Sequence, residues 1–488
     1  MNTGSYVAGR WSHPASERVV RNLNPADPSD VIAEFPAAGA ADAVRAIEAA
    51  RAAFPAWRET PAPERGRILW RAADIARRRA EEIAQTMTRE EGKIIREARG
   101  EVTRGIAVLE YYAGAGFRIA GKTLPAEARD TFTYTIRRPL GVVGLITPWN
   151  FPWAIPAWKS APALVAGNTV VMKPAELTPA TAALLTEIYE EAGLPPGVFN
   201  LVVGPGSEVG NAIVDHPDVR AVSFTGSNAV GMALYAQAAK RGAKVTCEMG
   251  GKNPVIVLPD ANLDKAATAI SSGAFGSTGQ RCTATSRVVA HASIKDELIE
   301  RVGALAAAMK IGPGLDETTD LGPAVDANQL RTDVQYIGVA RDEGARLVRG
   351  GKQPEGLPGY FVEPTIFDEA APTMRIFREE VFGPVLAVCA AETLEQAIEY
   401  ANGVEYGLSA SIFTQDIDAA MRFAELAEVG MVHINEATVG GEAQLPFGGS
   451  KATGVGEREM SEEGLRFFTE LKTVFVNYGQ SGKPLSMR

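Results

Sequence analysis

Residues 141–171 read GVVGLITPWNFPWAIPAWKSAPALVAGNTVV, and this stretch decides the fold. Two short, nearly uninterrupted apolar runs, GVVGLIT (141–147) and NTVVMKP (168–174), flank a longer segment that reads as helix. Strands without polar alternation suit a parallel sheet covered on both faces by crossover helices. The alternation continues through VFNLVV (198–203), RAVSFTG (220–226) and KVTCEMG (244–250). Between them, TPATAALLTEIYEEAG (178–193) carries helix punctuation, with Thr178 as N-cap, Pro179 in the first turn and Gly193 as the stop.

Working outward, a second series runs from GGKNPVIVLP (250–259) through SRVVAHASI (286–294), PVLAVCAA (384–391), SASIFT (409–414) and MVHIN (431–435), and reads as a second α/β domain. Upstream, residues 40–120 place Ala, Arg and Glu at helical spacing, as in ADAVRAIEAARAAF (41–54), and their charge runs read as solvated helix faces. The β-prone segment between AGKTLP (120–125) and TFTYTIRRP (131–139), and the C-terminal KTVFVNYG (472–479), have no nearby partner strand. They must pair with each other or with another subunit.

A chain of 488 residues is too long for one ordinary core, so two or three domains are expected. Hydrophobic content of 46% with 22% charged residues is that of a globular protein, and a net charge of -10 argues against a nucleic-acid partner. No apolar run approaches the ~18 residues of a membrane span, and the opening MNTGSYVAGRW lacks a basic, then apolar leader. Three cysteines cannot all pair, which makes a reducing cytoplasm the expected location. With four histidines and no HExxH or CxxC spacing, no metal site is expected; His216 and His433 read as structural.

Cys247 and Cys389 lie in apolar runs, as buried cysteines do, whereas Cys282 sits in STGQRCTATS (277–286) among small polar residues. A turn with exposed amides and Arg281 next door would favour a thiolate; the alternative is a free cysteine at a helix end. No GxGxxG follows any strand. Instead FTGSNAVG (224–231) brings Gly226 and Gly231 to a strand-to-helix turn, and MKPAE (172–176) puts Lys173 and Glu176 where a ribose could be held. Asn150 in TPWNFPW, Glu248 in CEMGGKNP, and Glu380 with Phe382 in EEVFGPV complete a set able to oxidise an aldehyde through a thioester.

Seven stretches in order, PWN, MKPAE, FTGS, EMGGKNP, GQRC, EEVFGPV and PFGG, resemble the aldehyde dehydrogenase superfamily over nearly the whole chain. The resemblance implies an α/β fold of two doubly wound parallel-sheet domains, a Rossmann-like NAD domain (1–120 and 140–250) and a catalytic domain (251–450), plus a small β-flap oligomerisation domain (121–139 and 468–488) that builds a homodimer or homotetramer. It implies Cys282 as nucleophile, Asn150 with the Cys282 amide as oxyanion site, and Glu248 as the base that activates water. It assigns cofactor contacts to Thr147, Trp149, Lys173, Glu176, Gly206, Phe224, Gly226, Ser227, Gly250, Glu380 and Phe382, with NAD preferred and NADP possible because Glu176 repels a 2′-phosphate that Lys173 could still accommodate.

The resemblance also implies an aromatic substrate channel of Phe151, Trp153, Trp158 and Phe447, with Arg281 or Arg104 able to hold a distal carboxylate. It is closest to enzymes of 2-oxoglutarate semialdehyde (2,5-dioxopentanoate), then succinate semialdehyde, with a broad-specificity aldehyde dehydrogenase as the alternative. The end of the chain departs from the pattern, for TGVGEREM (453–460) carries an extra residue beside Arg458, which leaves the match of Glu459, and its pairing with Lys159 in a proton relay, open. Three rivals are a cysteine acyltransferase, which would want histidine partners; a CoA-acylating relative, which generally lacks a glutamate at the position of Glu248; and a non-enzymatic dinucleotide-binding protein.

Overall fold

The computed structural model describes residues 2–14 and 16–479. The deciding stretch forms strand Val142–Ile146, helix Ala154–Ala166 and strand Thr169–Lys173, and the two strands pair in parallel. Val143, Leu145, Val170 and Met172 enter one apolar cluster, while Val142, Ile146 and Val171 enter another on the opposite face. Burial on both faces is why these strands show no polar alternation.

They form the middle of an eight-stranded sheet in the order Arg10–Ser12, Ser5–Val7, Phe199–Leu201, Thr169–Lys173, Val142–Ile146, Val219–Thr225, Lys244–Glu248, Gly454–Val455. From Phe199–Leu201 to Lys244–Glu248 all neighbours are parallel. The chain steps outward from Val142–Ile146 on one side, then returns to lay Val219–Thr225 on the other. The strand order therefore reverses between these two, which opens a crevice at their carboxyl ends.

The second sheet has the order Arg346–Arg349, Thr365–Asp368, Val385–Ala391, Thr285–His291, Asn253–Val257, Ser409–Phe413, Met431–Ile434, and only its first pair is antiparallel. Cys389 is buried in one of its strands and Cys247 in the first sheet, as their apolar settings predict. The isolated β-prone pieces pair with each other, Thr469–Asn477 lying antiparallel to Thr131–Pro139 with Thr123–Leu124 beyond. Residues 480–488 of the expected flap lie outside the described residues.

Residues 40–120 form the helices Ala40–Glu59, Ala62–Arg78, Ala80–Glu91 and Ile95–Ala115. Their charged residues are not all solvated, since Arg65, Glu90, Glu91 and Glu101, with Lys93 from the loop between the last two helices, are buried. Thr178 and Pro179 stand at the N-cap and in the first turn as the sequence implies, but the capping bond comes from elsewhere. Helix Pro179–Glu191 starts after Thr178, but that hydroxyl has no hydrogen-bond partner among the described residues; the Glu90 carboxylate accepts from Ala180 N (2.9 Å) and Thr181 N (2.8 Å) instead. A distant carboxylate thus satisfies helix-end amides that the local side chain leaves free. Strands Ser5–Val7, Arg10–Ser12, Val19–Asn24 and Asp27–Pro36 escaped the sequence reading, two of them being three residues long and one carrying Asp, Pro and Ser.

Candidate active site

The strand ends at the crevice carry most of the expected residues. Thr147–Asn150 follow Val142–Ile146, Gly226 and Ser227 follow Val219–Thr225, and Lys173 and Glu248 terminate their strands. Backbone bonds tie these ends together, Thr147 N donating to Lys173 O and Gly226 N to Glu248 O, both at 3.1 Å. Burial pulls the Lys173 ammonium down to about 8 against the opposing charge of Glu176, and its Nζ donates to Pro174 O. Glu176 accepts from Gly206 N at 3.3 Å.

Bare backbone is required here. A Cβ on Gly226 would sit 2.5 Å from the Phe224 ring, and one on Gly250 would sit 2.1 Å from the Glu380 carboxylate. Ser227 stands at the start of helix Asn228–Ala239 with no side-chain cap bond, so it leaves the helix-end amides open. An ammonium, a carboxylate and a glycine-lined helix start are a donor set that could hold a dinucleotide without the glycine fingerprint. Glu380 accepts from Gly251 N at 2.8 Å, and burial raises it to about 7. Phe382 adopts a left-handed φ of +63° and stands edge-on to Trp149, ring centroids 5.4 Å apart.

Cys282 follows a strained loop. Ser277, Thr278 and Gly279 are consecutively left-handed, with φ of +48°, +56° and +68°. The loop is held by Ser277 N donating to Glu97 (2.8 Å) and Thr278 Oγ1 to Gly322 O (3.0 Å), and a Cβ on Gly279 would lie 2.2 Å from Gly383 O. Beyond it, Asn253 Nδ2 donates to Cys282 O (2.8 Å) and Asn150 Nδ2 to Gln280 O (3.1 Å). The half-buried Cys282 lines a cavity of about 300 Å³ with Arg104, Phe151, Trp158, Arg281 and Phe447.

Two expectations fail at this point. Cys282 is not in a thiolate-favouring setting, because burial, then Glu380 and Glu248, push its thiol up to about 12. The neighbouring cation does not offset this, since Arg281 is bound to Glu97 (2.8 Å) and to Ser277 Oγ. Trp153 does not line the channel. Its indole is buried against Gly105 and donates to Val102 O at 3.2 Å.

Glu248 is buried, and its carboxyl is lifted well above the usual carboxylate range by desolvation and then by Glu459, against Lys159 and Arg458. One of its oxygens has no partner among the described residues. Despite the extra residue near Arg458, Glu459 meets Lys159 and also accepts from Trp158 Nε1 and Ser223 Oγ, both at 2.8 Å.

Arg104 forms no hydrogen bond or ion pair among the described residues; burial lowers its pKa, with Glu101 opposing. Lys93, Glu97 and Glu101 also line the cavity and were missed as site residues. The available signal was spacing, for Glu97, Glu101 and Arg104 fall at i, i+4 and i+7 on one helix face.

Among known proteins, the chain is 48% identical over 475 residues to alpha-ketoglutaric semialdehyde dehydrogenase of Bacillus subtilis (strain 168), covering 97% of each chain. It is 44% identical over 475 residues to 2,5-dioxopentanoate dehydrogenase of Saccharolobus solfataricus, covering 97% of this chain and 99% of that one. A crystal structure of betaine aldehyde dehydrogenase from Staphylococcus aureus in complex with NAD+ superposes with a TM-score of 0.96 at 35% identity, covering 99% of this chain and 96% of that one. The fold is thus shared with a solved aldehyde dehydrogenase over nearly the whole chain, and with residues 11–474 matching its family model, the protein belongs to the aldehyde dehydrogenase family.

Proposed function

We propose that this oxidoreductase converts the aldehyde group of a semialdehyde acid to a carboxylate with NAD, the substrate being 2-oxoglutarate semialdehyde or succinate semialdehyde. The observation that carries the substrate class is Arg104, a guanidinium without a hydrogen-bond or ion-pair partner among the described residues, in the wall of the same cavity as Cys282, where Arg281 is already matched by Glu97. A half-buried cation in a cavity wall with no partner among the described residues favours a ligand that brings a carboxylate. The aromatic walls of Phe151, Trp158 and Phe447 suit the carbon chain between its two ends. Similarity to the two relatives above, an alpha-ketoglutaric semialdehyde dehydrogenase and a 2,5-dioxopentanoate dehydrogenase, supports the same reading.

In this mechanism the Cys282 sulfur adds to the carbonyl carbon as its thiol proton passes to solvent, which leaves the Glu248 carboxylate free for the later hydrolytic step. Asn150 Nδ2 and the Cys282 amide stabilise the developing oxyanion. NAD, when bound, supplies the hydride acceptor that takes the adduct to the thioester. Glu248 then removes a proton from the water that cleaves the thioester, releasing acid and thiol. Lys173 and Glu176 would hold the adenosine ribose, Gly206, Gly226 and Ser227 the pyrophosphate, and Thr147, Trp149, Phe224, Gly250, Glu380 and Phe382 the remaining cofactor contacts. Exposed Phe132, Leu471 and Phe475 on the flap ribbon suit burial against a second copy of the chain.

The test is NADH formation over an aldehyde panel. A semialdehyde acid should exceed an uncharged aldehyde of equal length in kcat/KM by about tenfold or more, the scale of one charge-assisted hydrogen bond. Equal values for pentanal, benzaldehyde and the semialdehyde acids would overturn the substrate reading, leaving the family assignment intact.

A further inference from the structure

Lys93 lies in the loop that joins two N-terminal helices, remote in sequence from the crevice, and its ammonium is buried at the wall of the Cys282 cavity. Its Nζ donates to Asn150 O at 2.6 Å and to Glu101 Oε2 at 2.6 Å, and it stands 4.3 Å from the centroid of the Phe151 ring. The second oxygen of Glu101 accepts from Trp153 N and Ala154 N, both at 3.0 Å. Helix Ala154–Ala166 has no side-chain cap of its own, so Glu101 satisfies its first amides. One buried ion pair therefore grips the Asn150–Ala154 segment at both ends. Between these grips, the Asn150 side chain reaches Gln280 O, two residues from Cys282.

We infer that the Lys93–Glu101 pair is a positioning device for the reaction, fixing the Asn150 backbone so that its amide is aimed at the reacting oxygen beside Cys282. The inference rests on the oxyanion role proposed for Asn150. A loop alone would leave Asn150 free to rotate about its backbone, and an oxyanion donor works only if held in place before charge develops. A neutral residue at 93 could fill the space but could not supply a strong donor to Asn150 O. The ion pair with Glu101 keeps Lys93 protonated, whereas burial raises Glu91, 3.8 Å from Nζ, to about 8.

The test is a double-mutant cycle on the full-length enzyme, read as kcat and KM for one aldehyde at saturating NAD. Asn150→Ala should lower kcat about 100-fold, the scale of losing one oxyanion donor. Lys93→Met should lower kcat about tenfold with KM changed less than threefold, and the double variant should be no worse than about threefold below Asn150→Ala alone. Glu101→Gln, which keeps an oxygen for the Trp153 and Ala154 amides while removing the charge facing Lys93, is the second variant should Lys93→Met fail to fold, with the same non-additivity expected. Losses that multiply in the double variant would overturn the positioning role, because a general structural defect does not depend on Asn150. A wild-type kcat in Asn150→Ala would instead overturn the oxyanion reading, and the positioning role with it.

Discussion

The guanidinium of Arg281 bonds the Glu97 carboxylate at 2.8 Å, and the same carboxylate accepts the Ser277 amide at 2.8 Å. The residue next to the nucleophile candidate is therefore part of the brace on its own strained loop, while Arg104, which lines the same cavity, has no hydrogen-bond or ion-pair partner among the described residues.

That division of labour separates the two arginines. Arg104→Met should reduce kcat/KM for a semialdehyde acid by about 1.5–3 kcal/mol while leaving an uncharged aldehyde of equal length within twofold. Arg281→Met should reduce both substrates alike and lower Tm, since it frees Glu97 and loosens residues 277–282. Steady-state kinetics on the two substrates, with thermal unfolding alongside, checks both outcomes.

The high thiol pKa of Cys282 makes a distinct prediction for the enzyme without substrate. With the thiol pushed up to about 12, the thiolate is scarce at neutral pH, and alkylation by iodoacetamide should keep accelerating through pH 9 without reaching a plateau. A cysteine with a lowered pKa would level off near pH 7. Cys282→Ala should abolish both this labelling and aldehyde oxidation.

Glu248 sits above the ordinary carboxylate range, so the rate should rise with pH through a group whose pKa exceeds 4.5. Glu248→Gln should remove that dependence and leave an acyl-enzyme, seen by intact-mass spectrometry as substrate mass retained on Cys282. Full turnover by this variant would exclude Glu248 as the sole base.

The Glu90 cap ties stability to pH. Its folded pKa is raised from 4.5 to about 7, mainly by burial, so the folded state binds more protons than the unfolded chain between those values. Stability from this group is then fully present below pH 4.5 and is lost as pH rises through 7, by about 3 kcal/mol at most. Relative to wild type, Glu90→Gln should gain stability between pH 5 and pH 8, measured by urea unfolding at fixed ionic strength.

The sequence by itself determined the fold class and the family. Strands buried on both faces must be apolar throughout, as GVVGLIT and NTVVMKP are, and a loop with no room for a Cβ must carry glycine, as at Gly226 against the Phe224 ring, Gly250 against the Glu380 carboxylate and Gly279 against the Gly383 backbone. Such constraints act within a few residues and leave a local imprint. Only the tertiary structure decided which charges are spent and which are free. Arg281 and Arg104 are equivalent in sequence, yet Glu97 neutralises one of them; Lys93, Glu90 and Glu101 belong to runs that read as solvated, yet they are buried on Asn150, on helix Pro179–Glu191 and on helix Ala154–Ala166. The pKa of Cys282 is likewise set first by burial and then by Glu380 and Glu248, which arrive from distant segments. Electrostatic pairing depends on separation in space, and residues 52 to 184 positions apart carry no local trace of the partner that folding gives them.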